Sequence, residues 1–198
     1  MLLGNKRKDS KMDNQQATEY ELGWVAGIVD GEGWLGFTVF TDPRRANGTQ
    51  VKCELRIVNT DPEIIAKSED IFRKMGINPY MRTRLQKGIN RPVHECATKN
   101  MTNLLKILPK IEPYLVGNKK QRARLMMEFI DLRKKNEGLE NPNYGGMGQR
   151  KIHPYTKREL DIVEQCRALQ ATGASETTRE KRDAVMQKLK QQNALKTR

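Results

Sequence analysis

Cysteine, histidine and tryptophan are scarce in this chain of 198 residues, with three, two and two of each, and acids are short too: 24 Asp plus Glu against 37 Lys plus Arg. Cys53, Cys96 and Cys166 are odd in number and far apart, which fits neither a disulfide framework nor a zinc knuckle and points to a reducing compartment. His94 and His153 are too few and too distant for a histidine-centred nuclease motif. No apolar run approaches the roughly 20 residues of a membrane-spanning helix. The N-terminal MLLGNKRKDSK lacks an apolar stretch of signal-peptide length, so the expectation is an intracellular protein without membrane contact. The deficit of acids leaves a net charge of +13, which draws in a polyanion by counterion release. Charge alone favours a passive nucleic-acid binder over an enzyme.

What is present has a regular order. Residues 1–17 are polar and basic, and read as a flexible arm. Thr18-x-x-Glu21 is a capping box, opening a helix from Glu19 to about Asp30. Trp34 to Phe40 is aromatic and β-branched, as strands are. Asp42-Pro43 and Asn47-Gly48 mark a turn. Val51, Cys53, Leu55 and Ile57 then alternate with Lys52, Glu54 and Arg56, a half-buried strand with one charged face. Asp61-Pro62 signals a helix start, and Gly76 its end. The unit repeats in outline: a strand over 77–85, a turn at Lys87-Gly88, a return over 93–98, a helix over 101–111, and a long helix from about Lys119 to Lys135. Residues 136–155 are rich in Gly, Asn and Pro and read as a linker. Beyond it, Thr156-x-x-Glu159 is a second capping box, followed by two charged helices within 156–198 that are expected to lie on the same polyanion. The expected class is α+β, with an αββαββα core over 18–135, a curved antiparallel sheet and C-terminal helices.

The most informative stretch is Val25-Ala26-Gly27-Ile28-Val29-Asp30-Gly31-Glu32-Gly33. Gly23, Gly27 and Gly31 recur every four residues and bare one helix face, at a cost of about 1 kcal/mol per Gly. Such a face permits close approach of a second backbone. The same helix ends in Asp30 and Glu32, where the macrodipole is negative, so a cation is needed beside them. Gly33 then releases the chain straight into a strand.

This stretch, with Trp24 ahead of it, resembles the motif of the LAGLIDADG homing endonucleases, and the resemblance covers at least residues 19–135. It implies that the motif helix packs against a partner helix across a twofold axis, with Gly23, Ala26, Gly27 and Asp30 at that interface. It implies that Glu32, with Gly31 beside it, binds the catalytic divalent metal. Asn59 matches the polar residue that positions the attacking water. A charge-stabilising lysine falls within Gly117-Asn118-Lys119-Lys120; keeping the Q-x-A step favours Lys119, with Lys120 next and Asn118 the ungapped match. Only one motif is present, and one such carboxylate per chain cannot serve both strands of a duplex, so a homodimer is expected. The tail is similar to that of the single-motif, chloroplast-type members.

Mg²⁺ suits an all-oxygen, partly hydrated site, Mn²⁺ is expected to substitute, and Ca²⁺ to support binding without cleavage. Relatives cut across the minor groove and leave 3′ overhangs. Recognition is expected from the sheet in the major groove, through Thr38, Arg44, Arg45, Lys52, Arg56, Tyr80, Arg82, Arg84, Lys87 and Arg91, with Lys120 on phosphate. Trp34 and Phe40 alternate outward with Thr38, and fit a core role equally well. The resulting expectation is a site-specific double-strand DNA endonuclease of the intron-homing type. The alternatives are an intron-encoded RNA maturase of the same fold and a DNA-binding transcription factor; retention of Glu32 argues against both.

Overall fold

The computed structural model describes residues 16–41, 49–85, 91–137, 155–170, 180, 183–187 and 189–191. The arm up to residue 15, the turns carrying Arg44, Arg45 and Lys87, and the Gly-rich stretch with His153 lie outside the described residues.

The chain runs α1 (Glu19–Glu32), β1 (Trp34–Thr41), β2 (Thr49–Asn59), α2 (Pro62–Lys74), β3 (Tyr80–Leu85), β4 (Pro92–Thr98), α3 (Met101–Ile111), a 3₁₀ turn (Glu112–Tyr114), α4 (Gly117–Glu137) and α5 (Lys157–Gln170). The expected αββαββα order is there. The motif helix runs two residues further than its pattern indicates, so Asp30 and Glu32 both sit in its last turn.

Local chemistry explains the boundaries. At the start of α1, the Thr18 amide donates to Glu21 Oε2 at 2.8 Å and the Glu21 amide donates to the Thr18 hydroxyl at 3.3 Å. Lys74, at the end of α2, donates to Glu21 Oε1 at 2.6 Å. That ammonium, followed by the Thr18 amide, holds the Glu21 carboxyl below its ordinary range. Asp61 caps α2 through the Glu63 amide, with Pro62 in the first turn, where a missing N–H costs nothing. Gly76 leaves α2 at φ +68, a conformation natural to glycine.

The four strands form one antiparallel sheet in the order β1-β2-β4-β3. The register sets Phe37 opposite Cys53, Ile57 opposite Cys96 and Arg82 opposite Glu95. Because side chains alternate across a strand, one face carries Leu35, Phe37, Val51, Cys53, Leu55, Ile57 and Cys96 into the core with the helices. The other carries Trp34, Thr38, Lys52, Glu54, Arg56, Tyr80, Arg82 and Arg84. Burial pushes the Cys53 thiol well above its usual range, Cys96 to about 12 and Cys166 to about 11, so all three are inert apolar filler.

Most of the expected linker over 136–155 lies outside the described residues, and the described residues on either side of it pack on the core. The helix α4 continues through residues 136 and 137, and Tyr155 is buried. Tyr155, Leu160, Ile162, Val163, Cys166, Met186 and Leu189 join the same core cluster as Phe37 and Phe129. The reason is visible in the contacts. The Val51 amide donates to the Tyr155 hydroxyl at 3.0 Å, and Phe129 meets Phe37 edge-on with centroids 4.9 Å apart. Glu159 closes the Thr156 capping box and also faces buried Arg133, 3.4 Å away. Arg133 in turn lies over the Tyr155 ring.

Replacing Arg133 by Met leaves Glu159 buried without its guanidinium. Loss of one partner of a buried pair costs about 3–5 kcal/mol. Chemical denaturation is the check, and a loss under about 1 kcal/mol would show that α5 is held without this pair.

Candidate active site and nucleic-acid interface

The C-terminal end of α1 collects the chemistry. Gly33 ends the helix in extended conformation, its amide donating to the Ile28 and Val29 carbonyls. A Cβ there would sit 2.6 Å from Val29 Cα, so only glycine permits this immediate exit into β1. Glu32 is left exposed at the tip.

Asn59, the last residue of β2, donates from Nδ2 to Glu32 Oε2. Its Oδ1 accepts the Asp61 amide at 2.8 Å, which fixes which way the side-chain amide points. The start of α2 therefore orients Asn59, and Asn59 orients Glu32.

Lys119, in the first turn of α4, supplies the cation that the acidic helix end requires. Its Nζ donates to the Val29 carbonyl and, at 2.7 Å, to the Asp30 carbonyl. Burial, then the Arg122 guanidinium one turn further along, push the Lys119 ammonium below its usual pKa. Of the neighbouring candidates, Asn118 donates to the Leu169 carbonyl at 3.4 Å and Lys120 to the Pro113 carbonyl at 3.2 Å. Lys119 is thus the member of 118–120 tied to the motif helix. Three residues far apart in sequence converge on one helix end, with Asn59 bonded to Glu32 and Lys119 capping the turn that carries it.

Two motif positions expected at an inter-chain interface are satisfied within the chain. Ala26 is fully buried in the core cluster, because it lies one position off the glycine stripe and on the core side. The Asp30 carboxylate accepts the Val116 amide at 2.9 Å, joining α1 to the approach of α4. The stripe itself is open: among the described residues a Cβ at Gly27 or Gly31 would meet nothing within 4 Å, and one at Gly23 only the Tyr114 ring, 3.9 Å away. Tyr20, Tyr114 and Val116 are large apolar side chains exposed to 73%, 41% and 67%.

On the polar sheet face Thr38, Lys52, Tyr80, Arg82 and Arg84 are exposed, as is Arg91 just before β4. Trp34 and Phe40 belong to this face and not to the core: Arg56 lies 5.4 Å from the Trp34 ring centre and Lys52 4.5 Å from that of Phe40. Lys99 pairs with Glu54 at 3.2 Å and lies over Tyr80.

Buried arginines are what the sequence reading missed. Arg122, exposed to only 6%, has Nε and Nη2 without hydrogen-bond partners. The signal was available, since positions 122, 126, 129 and 133 continue one inward stripe of α4, and two of the four are arginines. The donor set at the motif helix is all oxygen, as a hard cation prefers. Among the described residues no three His, Cys, Asp or Glu side chains group as a metal cage; of the two acids in the last turn of α1, Glu32 is the exposed one, Asp30 being bonded to the Val116 amide.

No family model and no curated protein matches the chain by sequence. Solved structures do match by shape. The homing endonuclease I-CvuI in complex with DNA aligns with a TM-score of 0.56 at 18% identity, over 80% of this chain and 85% of its own. The archaeal intron-encoded homing endonuclease I-Vdi141I, complexed with DNA, aligns at 0.59 and 14% identity over 89% and 98%. The LAGLIDADG homing endonuclease I-LtrWI, bound to target DNA, aligns at 0.56 and 19% identity, over 83% of this chain but only 49% of its own. On this likeness the chain has the LAGLIDADG homing endonuclease fold.

Proposed function

We propose that the chain is a site-specific, divalent-metal-dependent DNA endonuclease that acts as a homodimer. The observation that carries this reading is the convergence of Glu32, Asn59 and Lys119 at the end of a helix whose glycine face stands open to solvent. A helix that serves only to fill a core has no use for such an end. A carboxylate at the negative pole of α1, oriented by an amide and flanked by a half-buried ammonium, suits the handling of a phosphodiester.

Glu32 and the Gly31 backbone would hold Mg²⁺, and the oxygen donors and exposure of this end fit that ion. The metal, when bound, would polarise the phosphate and neutralise charge developing on it. The chain's own groups supply the rest. Asn59 fixes the carboxylate and offers a polar group for aligning the attacking water. Lys119 places a positive charge beside the scissile phosphate, and its two carbonyl contacts spare it the entropy of searching for that position.

One chain presents one such carboxylate, whereas a double-strand cut needs two. Packing Gly23, Gly27 and Gly31 against their copies would bring two Glu32 side chains to a common axis, with Tyr20, Tyr114 and Val116 buried around it. That this chain matches about half the length of DNA-bound I-LtrWI supports the same arithmetic. The sheet's polar face, with Thr38, Lys52, Arg56, Tyr80, Arg82, Arg84, Arg91 and the charged turns containing Arg44, Arg45 and Lys87, would follow the major groove. Lys120 and the C-terminal helices would contribute phosphate contacts. Cleavage across the minor groove with 3′ overhangs, substitution by Mn²⁺ and binding without cleavage in Ca²⁺ belong to the same reading. I-CvuI has been solved on DNA in the presence of Mg, with the DNA not cleaved, and in the presence of Ca, so its DNA complex is compatible with divalent cations.

The direct test is cleavage of a randomised duplex library by the purified chain in Mg²⁺ and in Ca²⁺, alongside sedimentation at micromolar concentration. Cutting in Mg²⁺ alone by a dimer is the expected outcome. Binding without cutting in any metal would make the chain a DNA or RNA binder instead.

A further inference from the structure

The polar sheet face is cationic with two exceptions, Glu54 and Glu95. Glu54 has Lys99 3.2 Å away. Glu95 has nothing: it is exposed to only 4%, and among the described residues it makes no ion pair or side-chain hydrogen bond. It stands in the middle of β4, opposite Val58 on β2 and Arg82 on β3. Arg56, Tyr80 and Arg84 are one diagonal step away on the same face, within reach of long side chains. Arg56 has its Nε buried without a hydrogen-bond partner.

The Glu95 carboxylate makes no bond among the described residues yet is not sealed from solvent, so it is open to a ligand. It belongs to a face built for a polyanion, where an unpaired acid repels every phosphate. Its position therefore asks for a ligand that brings a hydrogen-bond donor and no charge. In the major groove, base edges supply such donors as exocyclic amino groups. Cytosine N4 is the partner of choice for a carboxylate, and an arginine is the partner of choice for guanine O6 and N7. Glu95 and Arg82 face each other across the strand pair, as cytosine and guanine do across one base pair.

We propose that Glu95 is a specificity-determining residue of this sheet, its carboxylate accepting a hydrogen bond from the N4 amino group of a cytosine while Arg82 donates to the guanine paired with it. The proposal rests on duplex DNA being the substrate. It goes beyond that reading by naming the base pair and the acid that reads it. Glu95 acts in recognition and touches no reacting atom.

The test is selection of bound and cleaved sites from a randomised duplex library by the wild-type chain and by Glu95→Gln. Glutamine keeps the shape, removes the charge and favours adenine. The expected result is a C·G preference at one position per half-site in the wild type. In Glu95→Gln that preference falls at least tenfold and moves toward A·T, and the preferences at other positions hold. Because the change is isosteric, a thermal melt matching the wild type excludes misfolding as the cause. If the variant misfolds, Arg82→Gln on β3 replaces it and must lose the guanine preference at the same position. A wild-type site without a cytosine preference, or a Glu95→Gln variant with unchanged preferences, overturns the assignment while leaving the endonuclease reading intact. A wild-type chain that neither binds nor cuts any duplex overturns both.

Discussion

Replacing Glu32 by Gln should lower cleavage of the target duplex by at least about a thousandfold, equivalent to ~4 kcal/mol of transition-state stabilisation, while the variant binds the same duplex in Ca²⁺. The size follows from the position. Glu32 is the exposed carboxylate at the end of α1, so its amide analogue removes the charge that would hold the cation and so neutralise the phosphate. The retention of structure follows from exposure. Glu32 is solvated, and a glutamine oxygen can still accept the Asn59 Nδ2 bond now made by Glu32 Oε2. The α1 C-terminus keeps Lys119 and the Gly33 exit, so the melting temperature should stay within a degree or two of wild type. Single-turnover cleavage, gel shift in Ca²⁺ and a thermal melt measure the three quantities. Cleavage within tenfold of wild type would remove Glu32 from the chemistry.

The second large effect separates assembly from folding. The substitution Gly27→Leu should abolish the dimer at micromolar concentration and take cleavage with it, while the single chain becomes no less stable. Among the described residues nothing lies within 4 Å of a Cβ at Gly27, so the side chain clashes with none of them. Helix propensity favours the change by about 1 kcal/mol. Across a twofold axis the two leucines would meet each other and force the backbones apart, which is the approach that small residues allow. Sedimentation velocity reports the assembly, and urea denaturation at low concentration reports the chain. A Gly27→Leu variant that still sediments as the wild type does and still cuts would place the interface elsewhere.

Other positions on the motif helix behave differently for stated reasons. Ala26, although within the motif, is fully buried in the core cluster that includes Val25 and Val29, so enlarging it would damage folding before assembly. Asp30 is bonded to the Val116 amide, and losing it would loosen the approach to α4. One four-residue stripe is bare, and the residues beside it are structural.

Much of this architecture was legible in the order of residues alone, where the physics is local. Capping boxes at Thr18 and Thr156, the Asp61-Pro62 start, the alternation from Val51 to Ile57 and the exposed glycine period each act within a few residues, so no distant contact could cancel them. The motif and its acid belong to that class. The pairing of Asn59 with Glu32 and of Lys119 with the Val29 and Asp30 carbonyls does not. Each joins residues tens of positions apart, and one lysine of three neighbours is chosen by where α4 enters the fold.

By itself, then, the sequence determined the element order, the bare helix face and the acid at its tip, because helix caps, side-chain period and missing side chains are local properties. Tertiary structure alone decided that Lys119 rather than Asn118 or Lys120 meets the motif helix. It also decided that Ala26 belongs to the core and that the tail shares that core through Tyr155, Arg133 and Glu159. It left Glu95 without a partner among the described residues on the polar sheet face. Those outcomes depend on which elements pack together and in what register, and a residue's neighbours across a sheet or a helix pair are not encoded at any fixed distance along the chain.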